Sequence, residues 1–461
     1  MTIFNLFRRD TAVELDEEVI ELIRQHLQEE HPESDVQVEQ DRKVFGAYQK
    51  GSGDEGGERF ILHPWMHEEQ GKYARITFVD TYDRGSGGLN RFAVKRNKGM
   101  DEEDQRAITR IEAAVLGKLE QKQLSVAHCY RTSKSMLLMQ FVDGVPFEKY
   151  IAENNGTPPL EETLSLIDSM LDINCALNRI IEGDEGMRAY LAQRKYRLAD
   201  AGLKELDFGE IAPYDLRDNF YSYRVIQAAN LTGARDFMGA YSHVNQALTE
   251  AEKVWISFDH PQNRLVVPYG SALHTVRYDF NHIAKENIGL ELAMILGAMD
   301  YYTSGEEAVP VNLANLVVLE QHKKRIGDDW GRENDVKEIE AKTQELRESP
   351  NEVVDMSHLY GDVDILNNTA AIYTSFLHRG ILDIFRLAAE YQKTGDDSNM
   401  ERASRRLDAL GNIGAISREF LDRLTPIQRD ALGKGGYTLI TDPDNIKGYL
   451  APALDRMLIN Q

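Results

Sequence analysis

Residues 91–95 read RFAVK, a short apolar run that ends in a lysine. Phenylalanine and valine favour extended structure, so this run predicts a β-strand with Lys95 at its end. Seventeen residues further on, Glu112 lies within residues 102–121, whose apolar side chains recur at helical spacing. The pattern combines a strand lysine with a glutamate on the following amphipathic helix. Taken alone, Lys95 is better explained as an ordinary surface residue.

The residues on either side of this stretch predict an antiparallel sheet. Strand-like runs span residues 59–63 and 73–79, and a glycine-rich turn at 85–88 joins the second run to residues 91–95. After the helix, the apolar residues 136–142 predict a further buried strand. Strands at the front of the chain and helices at the rear are typical of the α+β class. We therefore predict an α+β fold rather than a doubly wound sheet.

The remainder of the chain is predicted to be mainly helical. An amphipathic helix covers residues 13–27, and residues 31–58 are polar and predict a flexible turn or linker. Helical periodicity dominates from Leu160 to about Ala251 and again from about Leu290 onward. These patterns divide the chain into an N-terminal helix and linker (1–58), a β-rich domain (59–145), a helical domain with an insertion near 185–250 (146–330), and a C-terminal helical extension (331–461).

Composition and charge exclude several classes of protein. The 53 Lys and Arg residues against 76 Asp and Glu residues give a formal charge of −23, which disfavours non-specific binding to a nucleic-acid backbone. No stretch approaches the roughly 20 apolar residues of a membrane-spanning helix, and residues 1–9 lack the apolar core of a secretory signal. Cys129 and Cys175 match neither a disulfide framework nor a paired zinc-ligand spacing. We expect a soluble, cytoplasmic protein.

The sequence lacks the strong local signatures of catalysis. It contains no nucleophile-elbow Gly-x-Ser-x-Gly, no zinc-binding His-Glu-x-x-His, no Walker A Gly-Lys-Ser/Thr and no Cys-x-x-Cys. Residues 51–56 match Gly-x-Gly-x-x-Gly, but a strand-like run follows them instead of a helix, and Asp54 and Glu55 would repel phosphates. A flexible turn therefore explains this match better than a dinucleotide site does.

A distributed set of polar residues gives a more specific signal. The Asp/Asn loop DHPQN at 259–263 precedes an Asp-Phe pair at 279–280 by about a strand and a turn. The strand lysine, the helix glutamate, an apolar strand, this loop and the Asp-Phe pair follow one another as in the protein-kinase-like superfamily. The sequence resembles its aminoglycoside-phosphotransferase branch over about residues 59–300. The resemblance implies a two-lobed, protein-kinase-like fold with an antiparallel β N-lobe, a helical C-lobe and additional helices.

The resemblance also implies an activity, which is ATP- and Mg²⁺-dependent phosphoryl transfer to a hydroxyl of an unidentified small-molecule acceptor. Two cations and a lysine would neutralise the nucleotide, while a carboxylate aligned with the hydroxyl would accept its proton. Carried over by motif, Lys95 would hold the nucleotide phosphates, Glu112 would orient Lys95, Gln140 and Val142 in the hinge-like stretch 138–144 would receive adenine, Asp259 would be the catalytic base, and Asn263 and Asp279 would bind Mg²⁺.

The sequence departs from the family pattern in two places. Ser257 and Phe258 stand where the branch has His and Gly, and Asp259 lies four residues before Asn263 where five are usual. A clear Gly-rich loop before the strand lysine is missing. The Asp/Asn loop at 259–263 is also explicable as an ordinary turn, and Asp279 is also explicable as a helix cap. The alternative function is a pseudokinase, or a helical scaffold, that binds a protein partner through its added helices without catalysis.

Overall fold

The computed structural model falls into two compact units. It describes residues 17–39, 44–49, 60–63, 68–70, 74–83, 88–97, 102–154, 158–193, 252–257, 263–269, 272–280, 283–298, 308–327 and 331–434. The first unit contains the described residues within Met1–Gly144, Leu265–Tyr269 and His274–His282, and the second contains those within Val145–Arg264, Gly270–Leu273 and Ile283–Gln461.

Antiparallel strands and helices together make this an α+β protein. The strands are β1 (Ser34–Glu39), β2 (Val44–Gln49), β3 (Phe60–His63), β4 (Glu68–Gln70), β5 (Ala74–Asp83), β6 (Gly88–Asn97), β7 (Cys129–Ser133), β8 (Met136–Gln140), β9 (Val145–Pro146), β10 (Val254–Ile256), β11 (Arg264–Tyr269), β12 (Ala272–Arg277) and β13 (Ala284–Glu286). The helices are α1 (Glu17–Glu30), α2 (Glu102–Gln121), α3 (Phe147–Glu153), α4 (Leu160–Glu182), α5 (Glu185–Gln193), α6 (Ile288–Ala298), α7 (Ala308–Ile326), α8 (Glu333–Glu348), α9 (Val363–Thr394), α10 (Asp397–Asp422) and α11 (Pro426–Lys434).

The predicted antiparallel sheet is confirmed in the first unit. Its strands are ordered β1-β2-β3-β5-β6-β8-β7, and β4 pairs with β5. The hairpin of β5 and β6 is registered from Ala74↔Asn97 to Asp83↔Gly88, so both strands are longer than the predicted runs. The helix predicted at 102–121 is confirmed as α2.

Strands β1 and β2 lie in the region predicted to be a linker, so the prediction is wrong for these residues. The two strands pair antiparallel from Ser34↔Gln49 to Glu39↔Val44. Val36 is buried in the same core as α1, between polar neighbours. Val36 is buried between the exposed residues Asp35 and Gln37, and this alternation is that of an edge strand with one face on the core, although the segment as a whole is polar. Residues 50–59, with the Gly-x-Gly-x-x-Gly match, lie outside the described residues.

Helices α1 and α2 lie on opposite faces of the sheet. Phe92 and Val94 of β6 share one hydrophobic core with the buried residues of α1, which recur at helical spacing: Val19, Leu22, Ile23 and Leu27. Successive side chains of a strand point to opposite faces. Lys95 and Asn97 therefore point to the other face of β6, where they contact α2.

The second unit is mainly helical. Helix α9 is capped at its N-terminus by Asp362, whose carboxylate accepts the N–H of Asp364, and at its C-terminus by Gly395, whose positive φ of 66° is a glycine conformation. Helices α9 and α10 approach closely at Gly380, where an added Cβ would lie 2.6 Å from Leu410 Cδ2. Within the described chain, no helix is both long and apolar enough to cross a bilayer. Of the predicted insertion, α5 is described and residues 194–251 are not.

Candidate active site

Lys95 is buried on the face of β6 that packs against α2. Its side chain is 2% exposed, and Nζ donates to Glu112 Oε1 at 2.5 Å and to Asp279 Oδ1 at 2.7 Å. The Glu112 side chain is fully buried, whereas that of Asp279 is 18% exposed. The structure thus brings together three of the residues that the sequence singled out, and Asp279 is the one that solvent reaches.

Glu112 occupies the middle of the buried stripe of α2, where a carboxylate is unfavourable unless its oxygens are hydrogen-bonded. Its Oε1 accepts from Lys95 and from the backbone N–H of Phe280, the latter at 2.9 Å. Its Oε2 accepts from Asn97 Nδ2, also at 2.9 Å. One carboxylate therefore joins β6, α2 and the Asp-Phe pair.

Residues 274–280 are joined to the remainder of the first unit through backbone contacts. Val126 and Arg277 form a parallel β-bridge, and the Arg277 N–H donates to the carbonyl of Ser125 at 3.1 Å. The guanidinium carbon of Arg277 lies 4.5 Å from the ring centroid of Phe280, at cation–π distance. These contacts at Arg277 and Phe280, on either side of Asp279, hold its carboxylate beside the strand lysine.

The electrostatics of the site keep Lys95 charged. Burial lowers the pKa of Lys95, but the carboxylates of Asp279 and Glu112 outweigh burial, and the net result is a raised pKa. Burial, reinforced by the charge of Glu112, raises the pKa of the Cys129 thiol to about 12. The site therefore offers a permanent cation between two carboxylates and no reactive thiolate.

The hinge-like residues follow β8, the neighbour of β6. Gln140 is the exposed last residue of β8, and its N–H donates to the carbonyl of His128 at 2.8 Å. Val142 is half-buried, and its backbone makes no hydrogen bond to any part of the chain that the structure describes. The Val142 backbone is therefore available to a ligand, whereas the Gln140 N–H is used within the protein.

The remaining two predicted site residues come from the Asp/Asn loop. Asp259 lies outside the described residues. Asn263 is half-buried and directly precedes β11. Their roles as catalytic base and Mg²⁺ ligand stay predictions.

Two residues beside Lys95 were missed by the sequence analysis. Asn97 lies two positions along the strand, on the same face, and is 2% exposed. Phe78 of β5 pairs with Ala93, so it also lies on the face of Lys95, and its ring centroid is 5.5 Å from that of Phe141. Strand alternation counted outward from the lysine was the signal that could have found Asn97, whereas Phe78 also requires the register of the β5–β6 hairpin.

A second group of titratable residues lies in the second unit. His322, Asp362 and Asp364 have ligand atoms within 4.8 Å of one another, the spacing of a possible metal site. Arg325 donates to His322 Nδ1 at 2.9 Å and to Asp364 at 2.5 Å, and Arg332 lies 3.3 Å from Asp362. A cation would have to displace two guanidinium groups, and the neutral ring, which accepts at Nδ1, carries its proton on Nε2. The group is therefore an ion-pair network between α7 and α9.

Comparison with known proteins finds similar structures but no similar sequence. No protein-family model and no curated protein match the chain. Among solved structures, it is similar to a type I macrolide 2'-phosphotransferase, with 11% identity, a TM-score of 0.34 and coverage of 75% of this chain and 91% of that chain. It is also similar to the apoenzyme of the macrolide 2'-phosphotransferase MphH from Brachybacterium faecium, with 10% identity, a TM-score of 0.32 and the same coverage. At these TM-scores neither neighbour transfers a residue role or an acceptor to this chain.

Proposed function

We propose that this chain is a kinase-like phosphotransferase. With the help of Mg²⁺, it transfers the γ-phosphoryl group of ATP to a hydroxyl of a small-molecule acceptor. The observation that carries the proposal is the buried contact of Lys95 with Glu112 and Asp279. A buried lysine with a raised pKa, held between a fully buried and a partly exposed carboxylate, is suited to bind a polyanionic ligand.

The carboxylates of Glu112 and Asp279 have different roles in this proposal. Glu112 has donors on both oxygens and no solvent exposure, so its role is to orient the ammonium of Lys95. Asp279 is partly exposed and offers hard carboxylate oxygens, which are the ligands that Mg²⁺ prefers. The amide oxygen of Asn263 is of the same chemical type. Bound Mg²⁺ would neutralise charge on the β- and γ-phosphates.

The face of β5 and β6 beside Lys95 suits a flat heterocycle. Ile76 pairs with Lys95, and Phe78 pairs with Ala93, so these apolar side chains share the face of the lysine. All three apolar residues are half-buried. Together with the backbone of Val142, which has no hydrogen-bond partner among the described residues, this face would supply apolar contact and hydrogen bonding to adenine.

In the reaction, the acceptor oxygen forms a bond to the γ-phosphorus while the bond from that phosphorus to the β–γ bridging oxygen breaks and ADP leaves. The hydroxyl proton passes to Asp259, the base assigned by resemblance. Lys95, which Glu112 orients in the nucleotide-free protein, would stabilise charge on the phosphates. Positioning and charge stabilisation are the main contributions of a protein to such a loose transition state.

The test is ligand-induced stabilisation. Thermal unfolding is measured with ATP, with and without Mg²⁺, on the wild type, on Asp279→Asn and on the control Asp397→Asn, which changes an exposed aspartate of α10. A ligand that binds only the folded state raises the midpoint. We expect a Mg²⁺-dependent rise in the wild type and the control that is lost in Asp279→Asn. No rise at millimolar ATP, or an equal rise in Asp279→Asn, would contradict the proposal.

The second candidate is a pseudokinase, and the short spacing between Asp259 and Asn263 favours it. It predicts a folded protein that transfers no phosphoryl group to any acceptor, whether or not it binds ATP. ADP release is therefore measured with a panel of hydroxyl acceptors. Turnover that is abolished in Asp279→Asn would end this alternative. Binding without turnover for every acceptor would favour a scaffold that engages a protein partner through the added helices.

A further inference from the structure

We propose that Asn97 is a positioning residue that holds the Glu112 carboxylate in place when Lys95 turns from Glu112 toward a bound nucleotide. This inference rests on the phosphotransferase function proposed above and adds a residue to its site. It is argued from the hydrogen bonds that connect β6 to α2.

Asn97 and Lys95 reach the same carboxylate from one strand. They lie two residues apart on β6, so their side chains share a face and are separated by roughly one 7 Å repeat. Each is 2% exposed. Lys95 Nζ donates to Glu112 Oε1 at 2.5 Å, and Asn97 Nδ2 donates to Glu112 Oε2 at 2.9 Å. Each of the two side chains therefore binds a different oxygen of the carboxylate.

Thr109 sets the orientation of the Asn97 amide. Thr109 Oγ1 donates its only hydrogen to the carbonyl of Gln105 at 2.8 Å. Toward Asn97, at 3.2 Å, the hydroxyl can therefore only accept. Both neighbours on α2, Thr109 and Glu112, require the NH₂ group of the amide rather than its oxygen. The amide is thus oriented by α2, and its Oδ1 is buried without a partner within the described chain.

This orientation of the Asn97 amide gives Glu112 Oε2 a hydrogen-bond donor but leaves Asn97 Oδ1 without one in the described chain. A buried acceptor with no donor is unfavourable, and the reverse amide orientation would instead place two oxygens against each other. Within the part of the chain that the structure describes, Asn97 is the sole donor to Glu112 Oε2. Without Asn97, that oxygen of a fully buried carboxylate would have no partner.

Lys95 therefore need not be the group that holds Glu112. If Lys95 turns to phosphate oxygens, Oε1 still accepts the N–H of Phe280 and Oε2 still accepts Asn97. Glu112 then stays in place as the anchor about which Lys95 moves. This makes Asn97 a positioning residue: it acts on the nucleotide through Glu112 and Lys95.

The first experiment compares Asn97→Leu with the control Asn90→Ala, which changes an exposed asparagine of the same strand. ATP affinity is measured by calorimetry in the presence of Mg²⁺, and hydrogen exchange of residues 102–121 is measured without nucleotide. A hydrogen bond to a charged group is strong enough that its loss should weaken ATP binding roughly tenfold or more. We expect that loss and faster exchange of α2 in Asn97→Leu, and wild-type values in Asn90→Ala.

A second variant separates positioning from packing. In Asn97→Asp, the introduced carboxyl faces Glu112, with Lys95, Asp279 and the Cys129 thiol as the other titratable groups around that carboxylate. Two adjacent carboxylates share a proton, and the protonated side chain can donate to Oε2 as the amide does. ATP affinity of Asn97→Asp should therefore be low at alkaline pH and recover relative to the wild type as the pH falls.

The outcomes distinguish the two proposals. If the wild type binds no ATP, the proposed function fails, whatever the exchange of α2 shows. If the wild type binds ATP and Asn97→Leu binds it within twofold of that affinity, the role of Asn97 is overturned while the function stands. If Asn97→Leu does not fold, the pH profile of Asn97→Asp decides: a profile parallel to that of the wild type overturns the positioning role.

Discussion

The ammonium of Lys95 lies 2.7 Å from the carboxylate of Asp279, although the two residues are 184 positions apart. Lys95 also contacts Glu112, so a buried cation has two anionic partners. Breaking such an arrangement leaves uncompensated charge in a low-dielectric environment, which is far less favourable than never having buried it. The lysine therefore contributes to the stability of the first unit as well as to its proposed chemistry.

Replacing Lys95 by methionine should destabilise the protein. The substitution keeps an unbranched side chain of similar length but leaves Glu112 and Asp279 facing each other without a cation. We expect the free energy of unfolding to fall by about 3–5 kcal/mol, measured in urea. Arg96→Met is the matched control, because Arg96 is on the opposite face of the same strand and its side chain is 32% exposed. A loss of under about 1 kcal/mol in both variants would contradict the expectation.

The Cys129 thiol should be unreactive in the folded protein. Burial and the charge of Glu112 raise its pKa to about 12, and only the thiolate reacts with alkylating agents. In a Cys175→Ser background, which leaves one thiol, we expect alkylation near neutral pH to be at least about 100-fold slower than after unfolding in urea. Glu112→Gln should speed the native reaction, since it removes one cause of the raised pKa. Equal alkylation rates in the folded and the unfolded protein would contradict the prediction that the Cys129 thiol is unreactive.

Replacing either of two glycines of the first unit by alanine should change the stability of the protein, but in opposite directions. At Gly144, which follows the hinge-like stretch, an added Cβ would lie 2.8 Å from the carbonyl oxygen of Val266 and 3.0 Å from Leu265 Cβ. At Gly117, within α2, an added Cβ would have no atom within 4 Å among the described residues, apart from the backbone of its own helix. Gly144→Ala should lower stability by about 1–3 kcal/mol because backbone must shift. Gly117→Ala should raise it by about 0.5–1 kcal/mol, because alanine is the better helix former. Thermal unfolding of the two variants checks both signs.

The features that sequence reasoning predicted are those encoded by local periodicity. Helix α2 was predicted with its observed bounds because its apolar residues recur regularly over the whole of 102–121. The pairing of Lys95 with Glu112 is the exception, because it was implied by the resemblance to the protein-kinase-like superfamily and not by periodicity. Strands β1 and β2 were missed, because Val36, which packs β1 against the core, lies between the polar residues Asp35 and Gln37.

The hydrogen bonds of Asn97 and the backbone bridge at Arg277 had to come from the structure. The partners of Asn97 are Thr109 and Glu112, and all three are polar residues whose patterns are typical of surface positions. Strand alternation places the asparagine on the face of the lysine, but only the tertiary fold shows that this face is buried. The position of Asp279 beside Lys95 likewise depends on a long-range bridge at Arg277, which leaves no local trace in the sequence.

The network around His322 should make stability sensitive to acid. Burial lowers the pKa of His322 below the ordinary histidine value of 6.5, so the folded protein binds the proton more weakly than the unfolded chain does. The stability associated with the neutral ring is therefore intact above that value and is lost progressively as the pH falls below it. Burial lowers the pKa of His26 in the same direction, so part of the acid sensitivity lies in the first unit.

His322→Asn isolates this contribution, because the amide oxygen of asparagine can still accept from Arg325 and does not titrate. The free energy of unfolding is measured between about pH 7 and pH 5. We expect its decrease with falling pH to be shallower in His322→Asn by up to about 1.4 kcal/mol per pH unit, the limit for one proton. His358→Asn, which changes a histidine that is 46% exposed, should keep the wild-type slope. If His322→Asn also keeps that slope, the buried ring is not a source of the acid sensitivity, and the arginines rather than the histidine dominate the network.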